Sequence, residues 1–161
     1  MNISATNTNI DTRDITPIDI HNNIISWGET CPFIFPIREG QVIKVYDGDT
    51  ITIAAYMPYA DGASPLFRFS VRLNGIDTPE IKGHSEEEKK AAKQSRSVLN
   101  DKLMHHVVTL KNVQTEKYGR ILADVYLGDL HVNQWMLDNN YAVKYDGGKK
   151  DVFATTTPTP I

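Results

Sequence analysis

The chain has 161 residues and a mass of 18.1 kDa, is 40% hydrophobic and 23% charged, and carries a formal net charge of −3 with a single cysteine. Such a chain can bury a domain-sized core unaided, and Cys31 alone supplies neither an internal disulfide nor a multi-thiolate zinc site. No apolar run approaches the roughly 20 residues of a membrane-spanning helix, and the acidic balance argues against coating nucleic acid through bulk charge, though not against touching a few phosphates.

Residues 1–38 are rich in Asn, Thr and isolated Ile and carry a net −2, whereas residues 39–150 balance 15 acidic against 15 basic side chains. The shift predicts an N-terminal arm over 1–38 that is either poorly ordered or packed on the domain, with CPFIFPI as the most apolar candidate for that packing, a compact domain over 39–146 and a disordered tail over 147–161. The first residues lack a basic start followed by an unbroken apolar core, so no secretory signal is read there and an intracellular setting is expected.

In QVIKVYDGDTITIAAY, apolar and polar residues alternate on either side of an Asp-Gly-Asp turn, which predicts two paired strands. The segment AAYMPYADGASP, with Pro58, Gly62 and Pro65, predicts a long hairpin loop. In LFRFSVRLNGI, Phe67, Phe69, Val71 and Leu73 fall on one face and Arg68, Ser70 and Arg72 on the other, so one face serves a core and the other is free for chemistry. Ser85 and Glu88 form a capping-box pattern, and Ala91, Ala92, Ser95, Val98, Leu99 and Leu103 recur at helical spacing, which predicts a helix from Glu86 to about Met104. HVVTLKNVQ and ILADVYLG resume strand character around the turn TEKYGR, and HVNQWMLDNN reads as a shorter helix with Val132, Trp135 and Met136 inward. Five short strands with a helix before the last two predict a mainly β, α+β fold: a small closed Greek-key barrel of the oligonucleotide-binding type with two packed helices.

Asp47 and Asp49 flank Gly48 in DGDT, and Asp77 and Glu80 sit in DTPE directly after the arginine strand. Either turn alone is ordinary, since acidic turns commonly serve only local hydrogen bonds. Together, four carboxylates from two turns that a barrel can bring together form a candidate site for a hard metal, without the twelve-residue pattern of a helix-loop-helix calcium loop. Arg72 and Arg120 complete the constellation, because a guanidinium forks onto two phosphate oxygens where a lysine offers a point charge. Carboxylates beside arginines point to phosphate chemistry.

DGDT at 47–50, VRLNGIDTPE at 71–80 and KYGR at 117–120, in that order, closely resemble the three signature segments of the staphylococcal-nuclease (thermonuclease) family, over about residues 40–146. The resemblance implies a calcium-dependent phosphodiesterase that cuts DNA and RNA with little sequence preference and leaves 3′-phosphates. It implies that Asp49 and Asp77 ligate Ca2+, that Thr78 adds its backbone carbonyl, and that Asp47 stands behind them. Glu80 matches the carboxylate assigned as general base, Arg72 and Arg120 match the arginines on the scissile phosphate, and Tyr118 matches a tyrosine beside the terminal phosphate. Tyr145 matches a second such tyrosine, with the alignment slipping by one residue. Two departures stand out: the segment IKGHSEEEKK is shorter than the loop of secreted members, and a family C-terminal helix is expected to be missing after Tyr145.

Other residues carry structural expectations. Glu86, Glu87 and Glu88 complement a helix N-terminus, with Lys89, Lys90 and Lys93 on a solvated face. His105 and His106 are expected to cap the helix or lie at the surface, Trp27 and Trp135 to pack, and Cys31 to be a buried or partly buried thiol. A non-catalytic module binding nucleic acid or protein is the alternative function, and a small-nucleotide or sugar-phosphate phosphatase a third. DNA and RNA are the expected partners of a monomer that does not enter membranes.

Overall fold

The computed structural model describes residues 17–58, 64–80, 82 and 85–148. The chain divides into two compact units, Met1–Pro32 and Phe33–Ile161. In the first unit the described residues form one 3-10 turn, Trp27–Glu29, whose Glu29 carboxylate accepts from the Ser26 backbone N–H at 2.8 Å and the Ser26 hydroxyl at 2.6 Å. Two expectations fail here. Trp27 is 93% exposed and Cys31 is exposed, because a three-residue turn that buries nothing offers neither of them a core.

The second unit begins at Phe33, before the composition shift at Arg38. The Phe33 carbonyl accepts from the Thr115 hydroxyl at 2.6 Å, the Arg38 carbonyl accepts from the Leu110 backbone at 2.7 Å, and Ile37 is buried. Of the two expectations for this part of the arm, packing on the domain is the one realised, through the apolar run expected to carry it; its partners lie too far along the chain to be read from so short a run.

The main strands are β1 (Glu39–Val45), β2 (Thr50–Ala55), β3 (Phe67–Leu73), β5 (Val107–Thr115) and β6 (Ile121–Leu127), with short pieces β4 (Ile76–Asp77), β7 (Leu130–His131) and β8 (Val143–Lys144). The sheet runs β3-β2-β1-β5-β6-β7, and a parallel pairing of β3 with β6 closes five strands into a barrel. Helix α1 (Glu86–Leu103) precedes β5, and α2 (Val132–Asp138) follows β7. This is the oligonucleotide-binding-type α+β barrel expected from the strand order. The Ser85 hydroxyl accepts from the Glu88 backbone at 3.0 Å, as the capping pattern requires.

The alternation fills the barrel. Val42, Val45, Ile51, Ile53, Val71 and Leu73 are all at most 1% exposed, and Ala92, Leu99 and Leu103 of α1 and Val132 and Met136 of α2 are buried as well. Trp135 packs against this core and holds Lys102 over its ring at 4.8 Å. In β3 the expected inward face is only half realised: Val71 and Leu73 are sealed, but Phe69 is half-buried and Phe67 is 42% exposed. These rings lie outside the sealed interior, where Phe35 meets Phe69 edge-on at 5.9 Å and Phe33 meets Phe35 at 5.1 Å. Among the described residues no helix is long and apolar enough to cross a membrane. Loop residues 59–63 and the tail from 149, with the expectation of a missing C-terminal helix, lie outside the described residues.

Candidate active site

The DGDT turn closes the β1–β2 hairpin, with the Tyr46 backbone donating to the Thr50 carbonyl at 2.9 Å. Gly48 is required by close approach. A Cβ there would lie 2.7 Å from the Ser95 Cβ and 2.8 Å from the Thr78 Cγ2, so only glycine lets the first acidic turn seat against the second. A β-pairing and a backbone hydrogen bond fix the second turn: β4 pairs with β8, Asp77 opposite Val143, and the Tyr145 backbone donates to the Gly75 carbonyl at 3.0 Å. Buried Asn133 donates to the Asn74 carbonyl at 2.8 Å and accepts from the Val125 backbone at 2.9 Å, tying α2 to the turn after Arg72.

These constraints bring six of the predicted residues together. Arg72 donates through Nη1 to Asp49 Oδ2 at 2.6 Å and through Nη2 to Asp77 Oδ1 and the Ile76 carbonyl, both at 3.2 Å. Asp49 also accepts from the Thr50 hydroxyl at 2.9 Å. Asp49, Asp77 and Thr78 are buried at 3–5% exposure, and together with Asp47, Arg72 and exposed Glu80 they line one cleft of about 510 Å³. Burial, reinforced by the charge of Asp47, pushes the Asp49 carboxyl up to about 6 in spite of Arg72.

Arg120 is held differently. Its Nε and Nη2 donate in parallel to the two carboxylate oxygens of Glu116, each at 2.7 Å. Both residues belong to one tight turn: the Glu116 backbone donates to the Arg120 carbonyl at 2.9 Å, and Gly119 adopts φ +79° and donates to the Glu116 carbonyl at 2.8 Å. The Glu116 hydrogen bond raises the Arg120 pKa, with the field of Asp49 and Asp47 adding to it, while Glu116 is itself lowered, chiefly by that bond and further by the charges of Arg120 and Arg72. Arg120 therefore stands within electrostatic range of the acidic cleft, although it does not line it.

A second cleft, of about 360 Å³, lies on the Arg120 side and is lined by Arg72, Glu116, Lys117, Leu122 and Tyr145 among others. The Tyr145 ring faces the Arg72 guanidinium at 5.8 Å. Tyr118 is 73% exposed with Lys117 over its ring at 4.9 Å, so it stands at the surface of the hairpin rather than in either cleft. His105 lies in the left-handed region at φ 65° beyond the end of α1, and the His106 ring nitrogen lies 3.1 Å from the Met104 carbonyl, in keeping with the capping or surface role expected of both.

The sequence reading passed over Glu116 and Asn133. A Glu four residues before Arg in TEKYGR was a visible local signal, since a tight turn brings these positions face to face; for Asn133 a lone amide in a helix gave none. Among the described residues no three His, Cys, Asp or Glu side chains converge as a metal-holding group.

A model of the family described as staphylococcal nuclease homologue matches residues 70–157. Curated relatives include an uncharacterized endonuclease of Escherichia coli, 32% identical over 124 residues, which are 76% of this chain and 69% of that protein. Endonuclease Htp3 of Saprolegnia parasitica is 26% identical over 117 residues, 66% of this chain and 55% of its own length. An uncharacterized protein of Bacillus anthracis is 30% identical over 108 residues, 65% of this chain and 46% of its own length.

Proposed function

Because the chain belongs to the family of staphylococcal nuclease homologues and carries its nuclease domain, we propose that it is a calcium-dependent phosphodiesterase that hydrolyses DNA and RNA with little sequence preference and leaves 3′-phosphates. The observation that carries this reading is the guanidinium of Arg72 bonded at once to Asp49 and Asp77 in a cleft that Thr78 and Glu80 also line. Readout of phosphate rather than base edges accounts for weak sequence preference.

Attack of water on a phosphodiester adds negative charge to the phosphoryl oxygens, so cationic donors positioned beforehand stabilise the transition state more than the ground state. Arg72 has five N–H groups, of which Asp49, Asp77 and the Ile76 carbonyl take three, so two remain for a phosphate. Arg120 spends its Nε edge on Glu116 and keeps Nη1 for the substrate. Glu80, three residues beyond Asp77, takes the proton of the attacking water, a role that contributes on the order of 100 to 10,000-fold in rate. Tyr145 offers an aromatic face beside Arg72, and Tyr118 an exposed one on the hairpin that carries Arg120.

The donor set fits calcium, which prefers carboxylate and carbonyl oxygens in a loose shell. Asp49 and Asp77 are buried with Asp47 close by, and a buried carboxyl pushed up to about 6 is one short of positive charge. Asp49, Asp77 and the Thr78 carbonyl would hold the ion, and when bound it supplies charge neutralisation for the phosphate oxygens.

Cleavage of labelled single-stranded DNA with calcium and with EGTA, by wild type, Asp49→Ala and Glu80→Gln, tests the reading, with circular dichroism to show that each is folded. Calcium-dependent cutting that both substitutions abolish supports it. A folded wild type that binds DNA with calcium at neutral to alkaline pH and never cuts it makes this a binding module instead.

A further inference from the structure

The acidic cleft has a basic wall that the catalytic assignments leave unused. Lys44 of β1, Arg96 of α1 and Tyr46 line it together with Asp49 and Arg72. The register of β1 against β2 shifts between Val42 and Lys44, which pair with Ile53 and Thr52, so β1 carries one extra residue, Ile43. A bulge of this kind re-aims the side chain that follows it, and here Lys44 is exposed in the cleft wall. Arg96 Nε donates to the Val45 carbonyl at 3.2 Å, which anchors one edge of its guanidinium and leaves the other outward. Lys44 sits 5.7 Å from the centroid of the Tyr46 ring, and that ring is 61% exposed. Among the described residues neither Lys44 nor Arg96 forms an ion pair with a carboxylate.

The two clefts share Arg72 and no other lining residue. A strand whose scissile phosphate rests on Arg72 can therefore run from one cleft into the other. We propose that Lys44 and Arg96 bind the backbone phosphate of the nucleotide that flanks the cut, with its base stacked on Tyr46. Two cations on one phosphate beside an exposed aromatic face is the chemistry by which single strands are held without reading sequence. This subsite rests on the phosphodiesterase reading and deepens it: the substrate is a polynucleotide continuing on both sides of the cut, which makes the enzyme endo-acting.

The test uses the full chain with Lys44→Gln, Arg96→Gln and the double variant, each checked by circular dichroism; Lys44→Gln breaks no hydrogen bond within the protein, so it stands if Arg96→Gln fails to fold. The KM for a 20-nucleotide single strand is expected to rise about tenfold in the double variant, with most of the effect in KM rather than kcat, and the rise should shrink as the strand is shortened to a dinucleotide. In the cleavage-impaired Glu80→Gln background, anisotropy of a labelled 20-mer should give a salt slope shallower by about 0.7, the value for one lost single-strand phosphate contact. An unchanged KM and slope, or an equal loss on the dinucleotide, overturns the subsite. A wild type that cuts no phosphodiester overturns the nuclease reading instead, and the binding slope still decides whether Lys44 and Arg96 hold a strand.

Discussion

Arg72 and Arg120 are both candidates for the scissile phosphate, yet the molecule holds them by opposite means. Arg72 rises from the C-terminal end of β3, its side chain 15% exposed, and its partners Asp49 and Asp77 come from other elements. Arg120 sits in an exposed turn, its side chain 31% exposed, and takes its partner from four residues away in the same turn. The first arrangement exists only when the barrel is closed; the second is set by a single hairpin. Position in the site and contribution to the fold are therefore coupled at Arg72 and nearly separate at Arg120.

Replacing each arginine by lysine tests that difference. Arg72→Lys keeps the charge but loses the fork that spans Asp49 and Asp77, and on the scale of losing a preorganised transition-state donor it should cost about 1,000-fold in kcat/KM. It should also lower the unfolding free energy by about 1–3 kcal/mol, because two buried carboxylates lose hydrogen bonds. Arg120→Lys should cost about 100-fold in kcat/KM and less than about 1 kcal/mol in stability, as expected for a largely solvated pair. Kinetics with urea unfolding on both variants decides it, and equal stability losses would erase the distinction.

A smaller effect separates the buried carboxylate from its partner. The folded-state pKa of Asp49 is raised from 3.8 to about 6, so the folded protein binds more protons than the unfolded chain between those values. Its contribution to stability is present in full below about pH 4 and is lost as pH rises through 6. Without calcium, the stability of wild type relative to Asp49→Asn, which cannot titrate and should abolish cleavage, should therefore fall across that window. Urea midpoints of both proteins between pH 4 and 7 in EGTA measure it; a wild-type advantage that grows with pH contradicts the direction of the shift.

The same contrast governs what the sequence made legible. The barrel order, the α1 cap and the acid-arginine constellation were readable because alternation, capping and three ordered motifs are patterns along the chain. The strap from Phe33 to Arg38 was legible only as an apolar segment able to pack, since where it packs lies in Ile37 entering the core and Arg38 bonding Leu110, a contact that spans some 70 positions. Trp27 and Cys31 were misplaced for the converse reason: their types favour burial, but both are exposed, and the described residues around them form no core. DGDT revealed its acids, whereas the need for Gly48 becomes evident only when Thr78 and Ser95 stand against it.

The smallest expected effect bears on the Arg120 side. Glu116 touches no part of the acidic cleft, so its influence on cleavage must pass through Arg120, whose guanidinium it grips by one edge. Glu116→Gln keeps the size of the side chain and one acceptor oxygen but loses the second, so Arg120 gains freedom to rotate away. About a tenfold drop in kcat/KM is expected, with a change in stability below about 1 kcal/mol for a partly solvated pair. The defect should be absent when Arg120 is already lysine, because a single ammonium cannot use the bidentate grip; a double-mutant cycle reads this directly. Additive losses in that cycle would mean that Glu116 acts on substrate by itself, and Arg120 would then owe its orientation to the turn around Gly119 alone.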